Sequence, residues 1–336
     1  MARILSDGAE DPRGIALSMT GYVATNAAIV TSPVRSGAKA YRLVTYAGTG
    51  YMYKNFTGLA DGYYRCAWRV TINNNTVKTI RFRNGTTELI TLGLSTANQN
   101  FQILVGGSVV ATGTFVYALD VYYLLEFYIK IDDGAGVIQM KVDGKLDIDY
   151  SGDTKPGAQT TIDNWYWASV GGGDTYIDDI AINDTSGAAD NSWCGDGRII
   201  YYTGNGAGDV TGLTPNTGAN YAAIDELAHD SDTTYVEGGT VDLYDLYNLA
   251  ASGIAAGSTI NRVIPVAVAK DTVANGGKIA IGIKTDSTED WSDDRVLTTS
   301  YTGAQGDEYL VNPVTGVAWT IAELDALQVG VKMRGT

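Results

Sequence analysis

The chain has 336 residues, 45% of them hydrophobic, so it is long enough for two domains with real cores and is not a disordered chain. Its 38 acidic residues outnumber 23 basic ones, and the formal charge of −15 opposes contact with a phosphate backbone, so we expect no nucleic-acid partner. The 41 glycines and only 6 prolines favour many short strands joined by glycine turns.

The first residues predict an amino-terminal arm. Met1–Lys39 is poor in large apolar residues and rich in Gly, Ala, Ser and Thr. It lacks the apolar segment of a secretory signal, and no window of the chain holds 18 consecutive apolar residues. We therefore expect assembly in a cytoplasm and no insertion into a membrane.

From about residue 38 to residue 185, strand candidates follow one another at intervals near ten residues. Turns are predicted at Gly106-Gly107 and Asp143-Gly144, where glycine permits a tight hairpin. This spacing predicts a β-sandwich over residues 1–185 that includes the arm. Tyr63–Ile72 and Val77–Phe82 are rich in aromatic and β-branched residues, and Tyr122–Ile131 is the longest strand candidate. Further candidates include Gly136–Val142, Ile162–Ala168 and Thr175–Asn183.

The regular pattern stops at residues 186–197, where small polar residues predict a linker. A second series of strand candidates, Arg198–Thr203 and Asp307–Asn312 among them, follows over residues 198–336 and predicts a second sandwich. Within it, Thr320 and Glu323 have the spacing of a capping box, which predicts one short helix over Ile321–Leu327. We thus expect an all-β protein of two tandem, jelly-roll-like β-sandwich domains, with at most one short helix near the carboxyl terminus.

Several stretches resemble known domains. YYLLEFYIKIDDGAGVIQMKVDGKLDIDY, from Tyr122 to Tyr150, resembles the central hairpins of the concanavalin A-like, laminin-G-type jelly roll. TYIDDIAINDTSG, starting at Thr175, resembles the closing strand of that domain in bacteriophage structural proteins. GDGRIIYY and NPVTGVAWTIAELDALQVGVK resemble a phage-associated β module that follows such a jelly roll.

The resemblance implies a virion structural protein of a bacteriophage, such as a capsid decoration, tail or fibre subunit. Its partners would be other virion subunits, in a homo-oligomeric arrangement, and it would be assembled in the cytoplasm of the host bacterium. In such a particle we expect Met1–Glu10 to dock onto a neighbouring subunit, while Ile15–Leu17 pairs within its own domain. The alternative is an adhesin that recognises host-surface polysaccharide through its jelly roll. A glycoside hydrolase is a third, more distant candidate.

We predict no catalytic residues and no enzymatic activity. Glucanases that share the jelly roll carry three carboxylates on one face of one strand, because alternate side chains of a strand point into the same groove. The nearest string here, Glu323-Leu324-Asp325, lacks the third acid and falls on the predicted helix.

Trp165 and Trp167 are the candidate glycan-binding residues. They alternate along one strand and therefore share a face, where their rings would form a platform for a sugar. The other interpretation places both rings in the core between two sheets. If the platform exists, Tyr166 is the buried residue of the three.

Five aspartates form a candidate calcium site, since hard oxygen ligands from several loops suit Ca²⁺. The other interpretation is that the Asp178-Asp179 pair accepts backbone hydrogen bonds with one carboxylate and exposes the other to solvent. No other cofactor is predicted. The candidate ligands are Asp132, Asp133, Asp174, Asp178 and Asp179.

Overall fold

The computed structural model describes residues 3–10, 22–45, 49–72, 77–169, 171–226 and 229–335. These residues form two compact units, the first ending at Ile200 and the second beginning at Tyr201. Almost all regular structure in both units is β-strand, so the all-β prediction is confirmed. Where the chain is described, none of its helices has the length and apolar character needed to cross a membrane.

The first unit consists of two antiparallel sheets. An eight-stranded sheet has the order β13-β12-β11-β6-β15-β4-β3, with β1 also paired to β15, and a seven-stranded sheet has the order β10-β9-β8-β7-β14-β5-β2. The strands are β1 Arg3–Asp7, β2 Tyr22–Thr25, β3 Ala27–Val30, β4 Ala40–Leu43, β5 Tyr51–Leu59, β6 Asp61–Val70, β7 Val77–Asn84, β8 Thr87–Leu94, β9 Asn100–Val105, β10 Ser108–Val116, β11 Tyr123–Lys130, β12 Gly136–Val142, β13 Lys145–Gly152, β14 Ile162–Ala168 and β15 Thr175–Asn183.

The two sheets pack through aromatic side chains. Phe82 of β7 and Phe127 of β11 come from opposite sheets, and their rings meet edge to face with centroids 5.2 Å apart. Trp68 of β6 meets Phe101 of β9 in the same way at 5.6 Å. Such rings each bury a large apolar area, so this layer accounts for much of the stability of the unit.

The amino-terminal segment belongs to the first sheet, which corrects the prediction that Met1–Glu10 is a free arm for assembly. Strand β1 pairs with β15 over the register Leu5–Ile182 to Asp7–Ile180. Glu10 is buried, and its carboxylate accepts the backbone N–H groups of residues 38 and 39. Pairing of the first and last strands was expected further along the chain, at Ile15–Leu17, which lies outside the described residues.

The segment 186–197, predicted as a linker, lies on the first unit. Trp193 contacts Tyr63 edge to face, with ring centroids 5.5 Å apart. The backbone at Gly195 is held from both sides, because its N–H donates to Glu126 at 2.7 Å and its carbonyl accepts from Arg65 at 3.1 Å. Small residues let this backbone approach the sheet closely, so a composition typical of linkers here marks a packed segment.

The second unit has one six-stranded antiparallel sheet of order β16-β19-β25-β21-β22, with β23 paired to β21, and two two-stranded ribbons. A smaller core covers one face of this sheet, where Ile283 packs with Tyr309, Trp319 and Leu327. The strands are β16 Gly204–Thr211, β17 Thr214–Pro215, β18 Val236–Glu237, β19 Tyr244–Leu249, β20 Val266–Ala269, β21 Lys278–Thr285, β22 Thr288–Trp291, β23 Arg295–Val296, β24 Thr302–Gln305 and β25 Gln328–Arg334.

The helix predicted near the carboxyl terminus is confirmed. Helix α1 spans Ile321–Asp325, and the side chain of Thr320 accepts the backbone N–H of Glu323 while Glu323 accepts that of Thr320. The reciprocal bonds satisfy donors that the first turn of a helix leaves without partners. A 3₁₀-helical turn at Asn220–Ala223 is the other helical element of the described second unit.

Candidate functional site

Trp165 and Trp167 lie in the core of the first unit, so they cannot serve as the predicted glycan platform. Both side chains are 0% exposed. The Trp165 ring stacks on Phe82 with centroids 5.6 Å apart and meets Tyr64 of the opposite sheet edge to face at 5.5 Å. Strand β14 is covered on this face by the other sheet, and the two largest side chains of the strand fill the space between the sheets.

Because side chains alternate along a strand, Tyr166 points to the outer face of the seven-stranded sheet. Tyr53 of β5 is its register partner. The rings of Tyr51 and Tyr53 both stack against that of Tyr166, with centroids 5.3 and 6.0 Å away. Tyr51 and Tyr53 are half-buried, so this face carries a partly exposed row of tyrosine rings.

Two arginines of β7 cover Tyr166 from the other side. The guanidinium carbon of Arg83 lies 3.7 Å from the centre of the Tyr166 ring, and that of Arg81 lies 4.9 Å from it. This packing leaves Tyr166 only 7% exposed. Stacking fixes the planes of the guanidinium groups and leaves the two arginine side chains 14 and 22% exposed.

Glu88 of β8 connects these arginines to a third cation. Its Oε2 lies 3.0 Å from Nζ of Lys78, and its Oε1 lies 2.6 Å from Arg81 and 3.5 Å from Arg83. Burial raises the pKa of Glu88, but the hydrogen bond from Lys78 and the three positive charges outweigh burial and bring this pKa below its usual value. With three cations and one carboxylate, the cluster is positive although the chain carries −15.

Some polar atoms of this cluster have no hydrogen-bond partner among the residues that the structure describes. Asn164 is 2% exposed; its Nδ2 donates to Asn55 at 2.6 Å, while its Oδ1 accepts no hydrogen bond. Within the described part of the chain, the buried Nε atoms of Arg81 and Arg83 likewise donate to no group. Buried polar atoms are normally satisfied, and these three are covered from solvent, so they would gain partners only if the arginine side chains shifted to admit water or a ligand.

We call this surface the Tyr/Arg face. Its tyrosine row offers flat apolar rings, and its arginines offer paired N–H donors suited to carboxylate or sulfate oxygens. A depression of about 250 Å³ adjoins the face at the Lys78 and Glu88 end. The residues of the Tyr/Arg face are Tyr51, Tyr53, Asn55, Lys78, Arg81, Arg83, Glu88, Asn164 and Tyr166.

The structure does not bring the five predicted calcium ligands together. Asp132 accepts the backbone N–H groups of residues 134 and 135 within its own turn, and Asp133 pairs with Lys155 at 3.7 Å. Asp174 pairs with Arg42 at 2.6 Å. Over the described residues, no three His, Cys, Asp or Glu side chains are arranged to hold a metal ion.

Asp178 and Asp179 are both buried, which corrects the expectation that one of them is solvated. The register shifts between Asp178 and Ala181, and Asp179 has a positive φ of 49°, so the regular alternation breaks at this pair. Asp178 Oδ2 accepts the backbone N–H of Arg35 at 2.9 Å, and Asp179 Oδ2 lies 2.6 Å from the guanidinium of Arg35. The carboxylates of Asp178 and Asp179 therefore hold the loop at Arg35 against the sheet.

Glu323 and Asp325, the two acids of the second unit that were compared with the glucanase pattern, have structural roles. Glu323 caps helix α1, as described above, and also accepts a hydrogen bond from Asn312 at 2.9 Å. Asp325 accepts the backbone N–H of Ser252 at 2.7 Å. The two carboxylates hold different segments, and the sequence-based view that they are not a catalytic pair stays a prediction.

No protein-family model matches the chain, and no curated protein matches it in sequence. Among solved structures, it is similar to a cellulose-induced protein, Cip1 (14% identity, 57% of this chain and 100% of that one, TM-score 0.44). It is also similar to a conserved carbohydrate esterase from the Shiga toxin-encoding bacteriophage phi24B (15%, 55% and 99%, TM-score 0.42) and to the alginate lyase Aly36B (15%, 55% and 93%, TM-score 0.40).

These similarities correct one prediction. We expected the chain not to be an enzyme, and that deduction is wrong, because proteins similar to it in structure include a carbohydrate esterase and an alginate lyase. The missing third acid argues only against the glucanase mechanism, which uses three carboxylates on one strand.

Proposed function

We propose that the first unit binds an acidic polysaccharide on the Tyr/Arg face. The observation that carries the proposal is the arginine pair stacked on Tyr166, whose side chains are still 22 and 14% exposed beside the half-buried rings of Tyr51 and Tyr53. This arrangement offers guanidinium donors and flat aromatic rings at one place on a partly exposed surface. It replaces the tryptophan platform that the sequence predicted.

The tyrosine row supports a sugar as the ligand. The C–H faces of pyranose rings pack on aromatic rings, and the row formed by Tyr51 and Tyr53 runs beside the arginines. Hydroxyl groups of the sugar would then reach the exposed amide of Asn55, which Asn164 holds in place with a hydrogen bond and which offers both a donor and an acceptor.

The charge of the face supports an acidic ligand. Arginine pairs well with the planar carboxylate of a uronic acid or with a sulfate ester, through two parallel hydrogen bonds. Glu88 pairs with some of the arginine N–H groups and neutralises one of the three positive charges. A net charge of two therefore remains to attract an acidic ligand. Nucleic acid also carries negative charge, but the net −15 of the chain opposes a long phosphate backbone.

The proposal is tested by calorimetric titration with polygalacturonate, alginate and polyglucuronate, and with methyl-esterified polygalacturonate as the uncharged counterpart. We expect binding to at least one acid form, weaker binding in high salt, and no binding to the ester. Replacing both Arg81 and Arg83 by Gln should abolish binding. Arg69→Gln is the matched control, since Arg69 also lies over a tyrosine, Tyr176, at 4.8 Å and is 14% exposed, but on the other sheet.

Absence of binding to all three acids, or equal binding by the double variant, would contradict the proposal. The chain length of each polysaccharide and its ester content are followed in the same samples. A change that the wild-type protein produces and the double variant does not would assign turnover to the same face.

We further propose that the acidic polysaccharide belongs to the surface of a bacterial host and that the protein is a virion subunit. The resemblance of the stretches from Tyr122 to Tyr150 and from Thr175 onward to phage structural proteins supports this proposal. Mass spectrometry of purified particles from the producing phage is the test, with the protein expected in stoichiometric amount. Its absence from the particles would contradict the virion proposal and leave the binding proposal unaffected.

A further inference from the structure

The sheet of the second unit has a face that its core does not use. Ile283 and Val329 are register partners and pack into the core of this unit. Gly282 and Gly330 are the neighbouring register pair, and they point to the opposite face because alternate residues of a strand do so. Glycine inside a strand weakens it, and often marks a place where another group approaches the backbone closely.

One side chain that approaches both glycines is the indole of Trp291, which is the register partner of Gly282. A Cβ atom added to Gly282 would lie 2.7 Å from Cε3 of Trp291, and one added to Gly330 would lie 3.0 Å from its Cη2. The indole therefore lies against the backbone at both glycines, and Trp291 is half-buried rather than fully enclosed.

Glu289 holds this indole and a tyrosine in a fixed corner. Its Oε2 accepts from Nε1 of Trp291 at 3.1 Å, and its Oε1 accepts from the hydroxyl of Tyr244 at 3.2 Å. The two rings stand at 83° with centroids 5.4 Å apart. Lys332 lies beside both rings, with Nζ 5.4 and 5.8 Å from their centres.

We infer that this Trp291 corner, formed by Tyr244, Glu289, Trp291 and Lys332, is a second carbohydrate site that takes an uncharged pyranose ring. An indole floor with a perpendicular tyrosine wall fits the flat face and the edge of a sugar, and both rings are already held in place before binding. Glu289 and Lys332 supply an acceptor and donors for hydroxyl groups at the rim.

The charge balance distinguishes this ligand from that of the Tyr/Arg face. Lys332 lies beside Tyr244 and also pairs with Asp242 at 3.3 Å. Since Glu289 carries a negative charge as well, the corner has no excess of positive charge. An acidic sugar would gain nothing from it. The inference stands on the second unit alone and does not depend on the function proposed for the first.

The test is calorimetric titration of the full chain with hexasaccharides of glucose, mannose, galactose and N-acetylglucosamine. We expect one of the four to bind, and Trp291→Leu to weaken that binding about tenfold or more, as loss of a buried aromatic anchor does. Trp193→Leu is the matched control, because Trp193 is a half-buried tryptophan with a lysine, Lys141, 3.7 Å from its ring in the first unit.

If Trp291→Leu lowers the thermal midpoint, Tyr244→Ala takes its place, since it removes the wall and leaves the indole on its glycines. The replacement of Arg81 and Arg83 by Gln must leave binding of the neutral sugar unchanged, which separates this site from the Tyr/Arg face. No binding of any of the four hexasaccharides, or unchanged binding in both corner variants, would overturn the inference.

Discussion

The guanidinium carbon of Arg83 lies 3.7 Å from the centre of the Tyr166 ring, on the outer face of the seven-stranded sheet. Strand β7 brings the arginine and strand β14 brings the tyrosine, 83 residues further along the chain. The contact orients the guanidinium of Arg83, whose side chain is 14% exposed and whose Nε, covered from solvent, has no hydrogen-bond partner among the described residues. This relationship is the basis of the function proposed for the first unit.

Arg83→Lys tests whether the planar group matters beyond its charge. A lysine keeps the positive charge but loses the stacked plane and the paired donors, so we expect affinity for the acidic polysaccharide to fall about tenfold, the value of one charged hydrogen bond. Titration of Arg83→Lys against Arg69→Lys measures this. Unchanged affinity in Arg83→Lys would show that charge alone attracts the ligand.

Neighbouring substitutions on β14 distinguish a residue of the core from a residue of the Tyr/Arg face. Trp165→Ala removes a fully buried ring and should lower the free energy of unfolding by about 3–5 kcal/mol. Tyr166→Leu should cost much less stability and should weaken polysaccharide binding instead, because the arginines lose the ring beneath them. Denaturant unfolding and titration on both variants give the comparison. A reversed pattern would place Trp165, not Tyr166, at the ligand.

The amino-terminal strand is expected to stabilise the isolated protein. Removing residues 1–10 deletes β1 and the Glu10 carboxylate that accepts two backbone N–H groups, so the free energy of unfolding should fall by more than about 2 kcal/mol. Thermal unfolding of the truncated chain is the measurement. An unchanged thermal midpoint would restore the earlier expectation that this segment serves assembly.

Asp178 makes stability depend on pH. Burial, together with the charge of Asp179, raises the pKa of Asp178 to about 8, from an ordinary value of 3.8. Between about pH 4 and pH 8 the folded state then keeps a proton that the unfolded state has released, so stability falls as pH rises through this window. The thermal midpoint of the wild type, relative to Asp178→Asn, should decrease from pH 5 to pH 8. A difference that stays constant or increases would contradict the raised pKa.

The local part of the fold was predictable from the sequence. Strands β12, β14 and β15 have the predicted bounds, because alternating side chains and glycine turns act over a few residues. Helix α1 was also found, since its capping box is a local signal. The predicted strands at 198–203 and 307–312 did not form, although both contain β-branched or aromatic residues. Pairing partners, which decide such cases, are distant in sequence.

The candidate site was less predictable for the same reason. Alternation in β14 shows that Trp165 and Tyr166 face opposite ways, but not which of them faces the core. That choice depends on the second sheet, which supplies Tyr64 to one side of the strand. The arginines were missed because nothing near Arg81 or Arg83 in the sequence indicates a tyrosine. The one available signal was the positive net charge of β7 in a chain that is acidic overall.

The most direct measurement is a crystal structure of the full chain with an oligouronate that binds in titration. We expect sugar rings packed on Tyr51 and Tyr53, with a carboxylate within hydrogen-bond distance of Arg81 or Arg83 and a hydroxyl at the amide of Asn55. An oligouronate bound on any other surface, with the Tyr/Arg face holding only water, would contradict it.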